Sequence, residues 1–294
     1  MLELLLEPFS YDYMFKAIAL SGVIGAVCAF LSSYLMLKGW SLIGDALSHA
    51  VVPGVALAYA FSLPYAMGAF FSGFFATLAI LAVKSITKLK EDAVIGFIFT
   101  TFFALGLFII SIHPTSVDVQ SIILGNILGI ADEDVNQVLI ILGVTIVLLL
   151  FYWKDLLLVF FDEVQAKAVG ISPLKLKIIF FSLLSACVVT ALQSVGAILV
   201  ISMVVTPGAT AYLLTDRFGK LLIISSLLGG ITSVVGAYVS YYIDGATGGC
   251  IVALQTLIFL IAFFFSPKYG LIPRRFANQS AKTIACEAGQ GGNL

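Results

Sequence analysis

Charge is what this 294-residue sequence has least of. Asp, Glu, Lys and Arg make up 11% of it, less than half the roughly 25% of an ordinary soluble domain. Apolar residues reach 61% and the mean hydropathy is +1.13. A soluble globular domain is excluded, and so is disorder, which needs low hydrophobicity and high charge. The four cysteines, Cys28, Cys187, Cys250 and Cys286, form no CxxC pair and have no histidine beside them, so neither a disulfide framework nor a zinc knuckle is expected. The net charge of −1 gives no basic surface for nucleic acid. Met1 to Tyr13 carries Glu3, Glu7 and Asp12 without Lys or Arg, so the basic start of a secretory signal is missing. The GxxxxGK[ST], GxSxG and HExxH patterns are also missing, which leaves no phosphate loop or hydrolytic motif. The chain is not expected to be an enzyme.

Long apolar runs are what it has. A membrane-crossing helix needs roughly 20 apolar residues, and runs of that kind lie at about 14–37, 40–61, 65–83, 93–111, 135–152, 221–243 and 248–265. One further run, 176–214, holds no charge after Lys177 at its start over its 39 residues. As one helix it would measure ~58 Å, nearly twice a ~30 Å hydrocarbon core. It is better divided near Gln193, Ser194 and Gly196 into two crossings. The expectation is an all-α, polytopic membrane helix bundle with about nine transmembrane helices, eight being the alternative.

The cations test that division, because cytoplasmic loops collect Lys and Arg. Nine crossings with the N-terminus outside put Lys38, Lys84, Lys88, Lys90, Lys154, Lys167, Lys175, Lys177, Arg217, Lys220, Lys268, Arg274, Arg275 and Lys282 inside. Only Lys16 of the 15 basic residues stays at the outer boundary. With 176–214 as one crossing, Arg217, Lys220 and the four tail cations would join it outside. The outer side then holds Glu3, Glu7, Asp12, Asp118, Asp132, Glu133, Asp134 and Asp244. This acidity concentrates cations at the outer mouth, although Asp132, Glu133 and Asp134 also suit the start of the helix they precede. Residues 1–272 read as one transmembrane domain and 273–294 as a short, disordered cytoplasmic tail. Small residues at helix-contact spacing, Ser21-xxx-Gly25, Gly125-xxx-Gly129 and Ser225-xxx-Gly229, suit close packing in a membrane bundle.

Asp45 is the only formally charged side chain between Lys38 and Lys84. An aspartate near the centre of a membrane helix costs about 2.5–3.5 kcal/mol on insertion scales, so its presence calls for a reason. His49 follows one helical turn later, on the same face. If the span starts near Gly39, Asp45 lies ~9 Å and His49 ~15 Å along it, close to the middle of a ~30 Å core. A carboxylate and an imidazole one turn apart can converge on one divalent cation, and that donor pair suits Mn, Fe or Zn better than an alkali ion. A structural Asp–His pair or a proton relay would use the same spacing. Ser48 and Pro53-Gly54 suggest an irregular helix, tolerated where it is buried in protein or lines a cavity.

Other polar positions are less specific. His113-Pro114, Asp118, Gln120 and Asn126 fall between two spans, where solvated loop residues and an outer gate are both possible. Met203, Thr206, Pro207 and Gly208 mark a break inside a short span, which serves a hinge, a cavity wall or nothing in particular. In the longest cytoplasmic loop, Asp162 and Glu163 open a short helix near 161–171, Gly170 closes it, and Ser172-Pro173 prevents its continuation. Its alanine-rich face fits a groove on a partner, although any cytoplasmic loop can hold a short helix.

The stretch from Lys38 through Trp40, Gly44, Asp45, Ser48 and His49 to Pro53-Gly54 resembles the signature of permease subunits of ABC importers for manganese, iron and zinc. Glu163-xx-Ala166-xxx-Gly170 is similar to the coupling-helix motif by which such permeases dock on their ATPase. Gly196 and the Val205-Thr206-Pro207-Gly208-Ala209-Thr210-Ala211 block resemble a later part of the same family. Asn126 to Ile130 and Asp216-Arg217-Phe218-Gly219 look most like its manganese and chelated-iron branch from Gram-negative bacteria. The likeness runs from about residue 12 to 270 and leaves the tail outside.

This resemblance implies a type II importer-like arrangement in the bacterial cytoplasmic (inner) membrane. It implies a cytosolic ABC ATPase dimer, a second permease (identical or homologous) and an extracytoplasmic metal-binding protein. It further implies that Asp45 and His49 face the pathway, and that Glu163, Ala166 and Gly170 couple to the ATPase. No permanently bound cofactor is expected; Mn2+, Fe2+ or Zn2+ is the cargo. The rivals are a zinc importer of the same kind, a proton-coupled secondary transporter, and a membrane receptor or assembly protein.

Overall fold

The computed structural model describes residues 7–40, 42–112 and 132–266, with side chains from 134 onward in the last segment. The described residues are helical apart from short connections. Helix α1, Asp12–Lys38, ends where Gly39 adopts φ 75°; Gly39 N–H donates to Met36 O and Trp40 N–H to Leu35 O at 2.8 Å. This reciprocal pair of bonds satisfies the last carbonyls of the helix. The next crossing is two pieces, α2 (Ile43–Ala50) and α3 (Val52–Ala60). Then come α4 (Tyr65–Ile86), α5 (Glu91–Ile112) and α6 (Asp132–Phe161), the short α7 (Glu163–Ala168), α8 (Pro173–Val195), α9 (Ala197–Leu214), α10 (Phe218–Ile243) and α11 (Thr247–Phe265). Among the described residues nine helical segments, α2 with α3 counted as one, are long and apolar enough to cross a membrane.

The division of the 176–214 run falls at Gly196, whose φ of 85° lies where a Cβ would be strained. Packing at the two ends of the bundle supports two crossings there. Ser266, after α11, donates its hydroxyl to Leu213 O near the end of α9 at 2.5 Å. Phe218, which starts α10, meets Tyr34 of α1 edge-on at 4.9 Å. At the opposite end, Phe9 stacks on Tyr238 and Tyr11 lies 6.1 Å from Tyr241. Lys16, the one cation expected outside, is paired there with Asp12 at 2.5 Å. The helix ends therefore segregate as a nine-crossing chain requires, with Lys38 and Lys177 at one end and the tyrosines at the other.

In a bilayer, helices gain little from burying apolar side chains against one another, and small residues that let backbones approach take over. The seam between α1 and α10 is built so. A Cβ on Gly25 would lie 2.6 Å from Gly229 O and would also strike the Ser233 side chain. One on Gly229 would run into Gly25 O in return. Ser225 Oγ donates to Ala29 O at 2.6 Å across the same seam. Two of the small-residue pairs read from the sequence, Ser21-xxx-Gly25 and Ser225-xxx-Gly229, thus meet each other; Gly125-xxx-Gly129 lies outside the described residues.

Candidate functional site

Asp45 and His49 sit at opposite ends of the eight-residue α2, the acid in its first turn and the imidazole in its last. The acid is favoured there by the partial positive charge of the helix N-terminus. Because α2 begins at Ile43 rather than near Gly39, Asp45 lies only ~3 Å and His49 ~9 Å along it. The helix stops early for a local reason. Pro53 has no N–H to give the His49 carbonyl four residues before it, and that carbonyl receives the N–H of Val51 instead. Ser48 Oγ donates back to Gly44 O, and Ser72 of α4 donates to Ala50 O at 2.7 Å, which fixes the break to its neighbours.

The rest of α2 is locked into the bundle. Ile43, Ala46, Leu47 and Ala50 are buried, and a Cβ on Gly44 would touch Val204 of α9 at 3.0 Å. Asp45 and His49 are the exceptions, with 43% and 29% of their side chains exposed. His49 Nε2 stands 3.5 Å from Asp45 Oδ1, too long for a strong hydrogen bond. Its ring packs against Phe99 and Phe103 of α5, each 5.3 Å away between centroids. The outcome is an oxygen and a nitrogen donor on one open face, aimed by a rigid support.

The second predicted group gathers at the other end of the bundle. Asp162 caps α7, its Oδ1 accepting from the N–H groups of Val164 and Gln165 at 2.8 and 3.1 Å. Gly170, at φ 87°, turns the chain away, and Ile171 N–H returns to Ala166 O at 2.9 Å. The helix itself is Glu163–Ala168, shorter than the 161–171 expected. Ala166 is fully buried, whereas Phe161, Val164 and Val169 are exposed. Glu163 Oε1 accepts from Lys177 at 2.5 Å and lies 3.5 Å from Lys38. Burial alone would raise its proton affinity. The hydrogen bond and charge of Lys177, with Lys38 behind them, outweigh that and hold the carboxyl below its ordinary range.

Pro207 lies within α9 and is buried; it lines a small space of about 10 Å³ together with Thr206, Thr210, Thr232 and Gln255, room for about one water. Gln255, a buried amide in α11 that the sequence reading passed over, accepts from Ser202 Oγ at 2.8 Å and donates to Thr232 Oγ1 at 3.2 Å. Its signal was the same as that of Asp45, a long polar side chain inside an apolar run. Phe99 and Phe103 carried no such signal, because α5 has phenylalanines on several faces. His113, Asp118, Gln120 and Asn126 lie outside the described residues, as does the tail from 273. Among the described residues no three His, Cys, Asp or Glu side chains converge as a metal cluster.

Known proteins extend these observations. The sequence pattern of the ABC 3 transport family matches residues 10–266. The "Probable iron transport system membrane protein" of Haemophilus influenzae is 75% identical over 274 residues, which cover 93% of this chain and 97% of that one. The "Manganese transport system membrane protein MntB" of Synechocystis is 50% identical over 276 residues, 94% of this chain and 90% of that one. Among solved structures, "PsaBC from Streptococcus pneumoniae in complex with Fab" is similar at a TM-score of 0.80 and 35% identity, covering 92% of this chain and 98% of that one.

Proposed function

The chain belongs to the ABC 3 transport family, and from that premise we propose that it is the membrane permease of an ATP-driven importer carrying Mn2+ or Fe2+ into the cytoplasm across the bacterial inner membrane. The exposed Asp45–His49 pair is the observation that carries this reading. A half-exposed acid on an otherwise buried membrane helix must face a second protein or a water-filled passage. Two donors do not fill the coordination sphere of a divalent cation such as Mn2+. Asp45 and His49 of a second permease, identical or homologous, complete the set at the interface, with water taking the remaining positions.

In this reading an extracytoplasmic binding protein delivers the ion, and Asp45 and His49 hold it during passage. A cytosolic ATPase dimer docks on the exposed side of α7, hydrolyses ATP and drives the change of access. Catalysis belongs to that partner. Affinity for nitrogen and oxygen donors rises toward Zn2+ along the divalent series, so preference for Mn2+ or Fe2+ rests on geometry and delivery.

The test is uptake into vesicles holding the permease with its ATPase and binding protein. Mn2+ should accumulate only with hydrolysable ATP, and Fe2+ should compete more effectively than Zn2+. Equal accumulation without the ATPase would make the chain a secondary transporter. Stronger competition by Zn2+ at matched free concentrations would make it a zinc importer.

A further inference from the structure

Two of the three residues that the coupling motif singles out, Glu163 and Ala166, do not point to where an ATPase would sit. Along α7 the exposed positions are Val164, Gln165, Lys167 and Ala168. Ala166 is fully buried, and Glu163 is engaged from within by two lysines on other helices. Lys177 lies in the first turns of α8 and has only 15% of its side chain exposed. Lys38 is the last residue of α1 and also donates to Phe160 O, at the end of α6, at 3.4 Å. One carboxylate thereby joins α7 to α1, α6 and α8.

The far side of this junction leads directly to the candidate metal site. Lys38 is followed by Gly39, by Trp40 and, three residues after Trp40, by the start of α2. Trp40 is 6% exposed. Its ring stacks on Phe181 of α8 at 5.3 Å and meets Phe160 edge-on at 5.6 Å. Its indole N–H donates to Glu91, which pairs with Lys84 at 3.1 Å. The turn between α1 and α2 is therefore wedged against α6 and α8, the same elements that Glu163 ties to α7. A close-packed junction of this kind passes on displacement instead of absorbing it.

We infer that Glu163 is a positioning residue that, with Lys38 and Lys177, clamps the docking helix to the α1–α2 turn, so that movement of α7 is carried to Asp45 and His49. The inference rests on α7 being the ATPase-docking helix. Charge-assisted hydrogen bonds in a partly buried setting are the strong ones, and the depressed proton affinity of Glu163 agrees with its being held ionised by both cations. Contact with the ATPase then falls to the outward residues, Val164 and Val169 foremost.

The experiment uses the assembled transporter in vesicles and reads three quantities: ATPase co-purified with the permease, ATP hydrolysed, and Mn2+ accumulated per ATP. Lys38→Met and Lys177→Met should keep the ATPase bound and hydrolysing, while Mn2+ per ATP falls about tenfold, within the usual range of coupling between sites. Lys38→Arg should retain coupling. If Lys38→Met does not reach the membrane, Lys38→Gln carries the same expectation. Unchanged Mn2+ per ATP in the lysine variants, with Glu163→Gln instead losing the ATPase, would make Glu163 a direct contact and overturn the clamp. A wild-type complex that accumulates no Mn2+ would overturn the metal-importer reading, and is told apart by needing no variant.

Discussion

Two of the acid–base groupings in the molecule, one at Glu163 and one at Asp45 and His49, are built in opposite ways. Glu163 is met by cations from two other helices, at 2.5 and 3.5 Å, and ties segments distant in sequence. Asp45 and His49 share one short helix, stand 3.5 Å apart and tie nothing, since both are local to α2. A grouping that is closed and cross-linking serves structure. One that is open, loosely paired and rigidly backed by Phe99 and Phe103 has donor capacity left for a guest. Buried or exposed, charge at either place is costly unless compensated; the first is compensated by the fold and the second, in our reading, by the cargo.

The most severe way to break this contrast is at the open pair. Asp45→Asn or His49→Ala should lower Mn2+ uptake by about 100-fold, the upper end of what even indirect changes at metal sites cost, with ATPase co-purification intact. Near-normal uptake by both variants would end the ligand assignment. A change remote from both groupings separates site from scaffold. Gly25→Val should destabilise the α1–α10 seam by about 1–3 kcal/mol through overpacking, seen as a lower melting temperature in detergent. Gly143→Ala, where a Cβ meets nothing within 4 Å, should leave melting unchanged.

Two smaller effects sharpen the comparison. Pro53→Ala returns an N–H to the His49 carbonyl, a bond worth about 1 kcal/mol, and joins α2 to α3 as one helix. Uptake should fall about fivefold, the equivalent of that bond, while coupling through Glu163 is untouched; an uptake equal to wild type would show that the break is incidental. The smallest effect is with pH. The folded-state proton affinity of Glu163 is depressed, so its stabilisation is present above the ordinary carboxylate range and is lost as pH falls through the depressed value. The melting-temperature gap between wild type and Glu163→Gln should accordingly be present at neutral pH and close on acidification; a constant gap would remove the charge from the account.

Scarcity of charge made much of this legible beforehand. Arg217, Lys220 and the absence of charge from 178 to 214 implied a reversal near Gly196, and the structure turns there. Asp45 stood out because nothing near it was charged, and one helical turn made His49 its companion. What the sequence could not convey depends on distant contacts. Periodicity assigns Glu163 to a short helix but cannot say that Lys38 and Lys177 converge on it, nor that it points inward. The aromatic support of His49 was hidden because every face of α5 is apolar. The start of α2 was misplaced by four residues because Trp40 and Leu42 are as apolar as any membrane residue, while the turn is set by the cap at Gly39 and the wedge of Trp40.

The seam between α1 and α10 also bears on how the chain is made. Ser21 and Ser233, which meet across it, are 212 residues apart. At about 5–20 residues per second of synthesis, α1 waits on the order of 10–40 s in the membrane before its principal partner emerges. Its glycine- and serine-lined face is exposed throughout that interval, too small-featured to bind lipid strongly and ready for any other helix with a similar face. Correct assembly therefore depends on the last third of the chain arriving before a neighbouring permease does, which makes the pace of translation and the local density of insertion part of how this bundle reaches its fold.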